Sequence, residues 1–158
     1  MSSAATSSKA GRAGLSEVDL KLIGALEDLT LSPEDFGHVN HVRAAWTYLS
    51  RLPLDRALVR FRETLKRFAK HIGKPDLYHE TITAAYFYLI HERMQGYEDE
   101  SWQAFRRRNP DLLRWKGGLL ERLYSPRRLQ SELARRHFIL PDVTLGSGKS
   151  RERSDTGA

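Results

Sequence analysis

The sequence predicts an all-α fold: a compact bundle of about four main helices with a smaller helical subdomain appended at the C-terminal side. Two observations carry this. Apolar residues recur at spacings of three and four, with no β-type alternation of useful length. Ser, Pro and Gly also stand where helices start and stop. The 158 residues suit one domain. Its expected span is 15–143, between tails at 1–14 and 144–158 that are rich in Ser, Gly and Ala.

The first helix is expected over about Glu17–Leu29. Ser16 caps it with Asp19 three residues on, and Leu15, Val18, Leu22, Ala25, Leu26 and Leu29 form its apolar stripe. Ser32-Pro33-Glu34-Asp35 starts a second helix with a hydroxyl, a proline and two acids on the positive dipole end. That helix should reach about Ser50, before Pro53. The third runs from Pro53 to Gly73 on Leu54, Leu58, Phe61, Leu65, Phe68 and Ile72. The fourth spans about Leu77–Met94, is apolar on most sides, and ends at Gly96. Shorter pieces follow near Glu98–Arg107, Pro110–Leu123 and Pro126–His137, before an extended Phe138–Pro141 segment.

The chain carries 26 Lys+Arg against 20 Asp+Glu, a formal charge of +6. The two ends supply half of that excess, so the body is only mildly basic. The longest apolar run, Ala84–Ile90, falls far short of the roughly 18–20 residues of a membrane span, and no secretory leader is recognisable. The expected setting is the cytoplasm of a bacterial-type cell. There is no cysteine, which excludes disulfides, thiol nucleophiles and Cys-based metal sites. Any metal must therefore be held by imidazole or oxygen donors.

The six histidines focus the chemistry. His38 and His41 stand at i and i+3 on one face of the second helix. His79 heads the stripe Ile82, Tyr86 and Ile90 on the fourth, with Glu80 beside it. An i,i+3 pair plus a third imidazole from a neighbouring helix suits a divalent transition metal, zinc or iron above others, and leaves a position open for water or substrate. Glu80 would be a fourth ligand, an orienting residue or a general base. The alternative role for these histidines is structural, as capping or hydrogen-bonding groups. His71 and His137 are expected at the surface or at helix ends.

FGHVNHVRAAWTYL, YHETITAAYFYL and LYSPRRLQSELARRHFILPD together resemble a group of short bacterial all-helical proteins. The resemblance covers about residues 36–142. It implies that His38, His41, His79 and Glu80 belong to recurring motifs, and it carries no catalytic assignment.

Nucleophilic motifs are lacking. Gly146-Ser147-Gly148-Lys149-Ser150 lacks the first glycine, strand and helix of a phosphate loop. Glu34-Asp35 and Glu98-Asp99-Glu100 suit helix starts. The aromatic residues Trp46, Tyr48, Phe61, Phe68, Tyr86, Phe87 and Tyr88 fall at core spacings. Arg106–Arg108, Arg127-Arg128 and Arg135-Arg136 lie near Trp102, Phe105, Trp115 and Tyr124, a combination that can hold phosphates and bases. Interspersed acids make a solvated surface the simpler reading.

Two functions follow. The leading one is a small metal-binding protein, with metalloenzyme activity on a small-molecule substrate as its extension, using His38, His41, His79 and Glu80. The other is a non-catalytic adaptor whose arginine-rich C-terminal surface holds an acidic partner or nucleic acid.

Overall fold

The computed structural model describes residues 14–143, and these are helical with no strand. The expected tails, apart from Gly14, and the Gly146–Ser150 segment lie outside the described residues. Four longer helices come first: α1 (Glu17–Glu27), α2 (His38–Arg51), α3 (Leu54–His71) and α4 (Glu80–Met94). Four short ones follow: α5 (Trp102–Arg108), α6 (Leu119–Leu123), α7 (Pro126–Leu129) and α8 (Glu132–Arg136). Single 3-10 turns at Pro33–Asp35, Pro75–Leu77 and Pro110–Leu113 link them. No described helix is long and apolar enough to cross a membrane.

Ser16 and Asp19 form the expected capping box, with the Ser16 N–H donating to the Asp19 carboxylate at 2.8 Å. Asp19 does more, however. Arg43 of α2 donates to the same carboxylate at 2.7 Å, and Asp19 is wholly buried. That pair turns α1 so that Asp19, Ile23 and Leu26 face α2, while Val18, expected in the stripe, is 60% exposed.

α2 is the central helix. From Val42 to Ser50 only Arg43 is not fully buried, and Thr47 and Ser50 satisfy their hydroxyls on the carbonyls one turn back, at 2.8 Å each. Tyr48 donates to Glu27 at 2.7 Å, and Arg60 of α3 grips the same carboxylate. One acid thus joins α1, α2 and α3. α3 follows its predicted stripe, with Leu58, Phe61, Leu65 and Phe68 buried, and Gly73 closes it at φ +73°.

Two expected helix starts move. Ser32-Pro33 opens only a 3-10 turn, and Ser32 spends its hydroxyl on Glu34 rather than capping; α2 begins afresh after Gly37. Likewise Pro75 starts a 3-10 turn, and α4 begins at Glu80 with His79 as its N-cap. In both places a proline-initiated turn stops after one turn because the next residues become extended.

The short helices are continuous with the main core. Trp102, Phe105, Leu112, Leu120 and Tyr124 belong to the same buried cluster as Trp46, Phe61 and Phe87. Beyond α8 the described chain, to Val143, forms no further helix or strand. Thr81, at the start of α4, donates to the His137 carbonyl at 2.8 Å, and Tyr124, at the end of α6, to the Ile139 carbonyl at 2.7 Å, fastening this segment to both helices.

Candidate functional site: a histidine-lined cavity

A cavity of about 670 Å³ opens between α2, α3 and α4, and His38, His41 and His79 all line it. Its floor is apolar: Val42 and Ala45 from α2, Phe61 and Phe68 from α3, Phe87 and Ile90 from α4. Its exposed lining residues, Pro33, Lys74, Asp76, Leu77 and Trp115, define the mouth. The volume lies in the range of small-molecule sites, as does the pairing of an apolar wall with few polar groups.

The break at Gly37 sets His38 and His41 in the first turn of α2, on the cavity wall. His38 donates from Nε2 to the Leu112 carbonyl at 2.8 Å and meets Tyr86 edge-on, with ring centroids 5.0 Å apart. Desolvation lowers its pKa, opposed by the Leu112 bond. His41 stacks on Phe36, centroids 3.9 Å apart. Burial, with a smaller contribution from nearby His38, pushes its pKa down to about 4. Both rings are thus neutral at pH 7.

His79 is committed differently. Its Nδ1 accepts the Ile82 N–H at 3.1 Å, capping α4, and its Nε2 donates to the Leu129 carbonyl at 2.8 Å. Both nitrogens are used, which fixes the neutral tautomer. Glu80 does not line the cavity. It is buried between α3 and the start of α4, paired with Arg62 at 2.6 Å and accepting the Tyr78 hydroxyl. The three histidines therefore line one cavity, His38 and His41 from α2 and His79 from the start of α4, while Glu80 lies outside its lining. Among the described residues, no three His, Asp or Glu side chains cluster as a metal ion would require.

Sequence reasoning missed the mouth. Trp115 is 54% exposed yet lies against both His38, at 5.3 Å, and Tyr86, at 6.4 Å between centroids. It is carried by a turn ending in Gly117-Gly118, where Gly117 takes φ +66°. A Cβ on Gly118 would lie 2.5 Å from the Arg114 carbonyl and 3.1 Å from the Tyr86 hydroxyl, so the turn is pressed onto α4. A tryptophan set among Arg, Lys and paired glycines was the available signal, since a large aromatic in such a turn needs a surface to rest on. Lys74 and Arg135 carried no such signal. Arg135 reaches the cavity only because its guanidinium donates to the Asp76 carbonyl across the mouth.

The arginine clusters are partly consumed by the fold. Arg108 pairs with Glu100 at 2.8 Å and covers the Tyr97 ring, and Arg128 donates to the Leu140 carbonyl. Arg106, Arg107 and Arg127 are exposed. His71 and His137 sit exposed at the ends of α3 and α8, as expected. No protein-family model, curated protein or solved structure matches the chain.

Proposed function

We propose that this protein binds a small, mostly apolar molecule in the cavity between α2, α3 and α4, with His38 and His41 as its neutral hydrogen-bonding groups. One observation carries the reading: an apolar cavity of about 670 Å³ is lined by two desolvated imidazoles from the first turn of α2. An apolar ligand gains about 25 cal/mol for each Å² it withdraws from water, and a neutral imidazole can donate to or accept from its polar atom.

The test uses N-phenyl-1-naphthylamine, an uncharged dye that brightens in apolar surroundings. Saturable one-to-one binding with quenching of Trp115 is expected. Ala69→Phe and, independently, Ile82→Trp place bulk in the cavity and should each weaken binding at least about tenfold while the helical circular dichroism is retained. Binding indifferent to both folded variants would sink the reading.

A second reading retains His38 and His41 as ligands of a divalent transition metal, zinc or iron. Its support is their i,i+3 placement in the first turn of α2, where both line the cavity. His79 would join them only by giving up its cap or its Leu129 bond, and Glu80 only by leaving Arg62 and Tyr78. Bound substrate would have to complete the coordination. Stoichiometric metal in the purified protein, lost in a His38→Ala, His41→Ala double variant, is the expected result; metal-free protein after growth in zinc and in iron would overturn it.

A further inference from the structure

Resting on the cavity reading, we infer that the ligand is an amphiphile with a single anionic head, such as a carboxylate, its apolar body on the floor and its head between Lys74 and Arg135. The polarity of the lining is graded from floor to mouth. Inside are Phe61, Phe68, Phe87 and Ile90; only at the rim do full charges occur.

The rim charges are unequal. Lys74 and Arg135 are two cations against one acid, Asp76, and Glu80 is turned away into its pair with Arg62. Among the described residues the Lys74 ammonium has no ion-pair or hydrogen-bond partner, and Gly73, closing α3 at φ +73°, aims the chain across the mouth there. Arg135 commits one guanidinium nitrogen to the Asp76 carbonyl, so its other N–H groups remain for an incoming oxygen. Burial is the main cause that lowers the His79 pKa, and the nearby Arg135 charge adds to it. A cationic head would meet that same field as repulsion, and a neutral head would gain nothing from it.

Decanoate, decanol and decylamine share one chain and differ in head charge. They are titrated by Trp115 quenching at concentrations below micelle formation, at about pH 8, above the histidine range. Decanoate should bind about 5- to 10-fold tighter than decanol, and decylamine weaker than decanol. Lys74→Glu, at an exposed position, should remove that preference, bringing decanoate to no tighter than decanol. Equal affinity for decanoate and decanol, or decanoate binding unmoved by Lys74→Glu, overturns the head-group inference while the cavity reading stands. Failure of all three compounds to bind overturns both.

Discussion

His41 and Asp19 show what burial does to single ionisable groups here. His41 is held neutral down to about pH 4, against about 6.5 in the unfolded chain. Between those values the unfolded chain binds a proton that the folded one does not, so stability rises with pH and falls on acidification. From pH 7 to pH 5 the fold should lose about 2 kcal/mol through this residue, and His38 and His79 push in the same direction. Urea titrations of the wild type and His41→Gln check it: the variant should lose less stability over that interval. Asp19 is the opposite case, a buried carboxylate that is fully compensated. It closes the α1 capping box and neutralises Arg43, which is itself only 15% exposed. Asp19→Ala removes both roles and strands a cation, for an expected cost of about 3–5 kcal/mol in denaturant unfolding. Arg43→Met in the same background should recover part of that loss, because the stranded charge is then gone.

At the scale of elements, the turn carrying Trp115 is the part most sensitive to one atom. Gly118→Ala would push a methyl against the Arg114 carbonyl, and the turn must lift from Tyr86. The expected outcome is a red shift of Trp115 emission and weaker dye binding, with the helix content unchanged; an unshifted spectrum would show that the turn absorbs the methyl. Much of the element level was legible in the sequence. α3 announced itself through Leu58, Phe61, Leu65 and Phe68, and the Ser16–Asp19 box was readable because both partners lie within one turn. The starts of α2 and α4 were not. Ser32-Pro33 carries every local signal of a helix start yet makes a single 3-10 turn, and the turn at Pro75 runs through Leu77, where the fourth helix was expected to begin. His79 was therefore read as a helical residue on a buried stripe, whereas it caps the helix with its ring. Local propensity does not say how far a turn propagates, because packing of the following residues decides that. The placing of His38 and His41 on one face of α2 was foreseeable from their i,i+3 spacing, whereas the retreat of Glu80 to Arg62 depended on a partner eighteen positions away on another helix.

For the molecule as a whole, the cavity is a cost borne by the unliganded fold. Buried apolar side chains around it lack part of the contact that a filled core provides. Ala69→Phe should therefore abolish dye binding while raising thermal stability, by about 1 kcal/mol where the ring enters without strain. Scanning calorimetry on the variant decides this. A fall in stability together with retained binding would mean that the ring is directed into packed core instead. Saturating ligand should raise the wild-type melting temperature and leave that of Ala69→Phe unmoved.

The mouth is assembled from distant parts of the chain. Residues 76–79 meet 129–135 through the His79–Leu129 and Arg135–Asp76 bonds, and Thr81 is bonded to His137. On a ribosome, the floor made by α2, α3 and α4 is translated some forty residues before the segment that frames its entrance. A nascent chain halted before Leu129 would carry the apolar floor with Lys74, Asp76 and Trp115 but without Arg135 and the bonds that tie it to the rim.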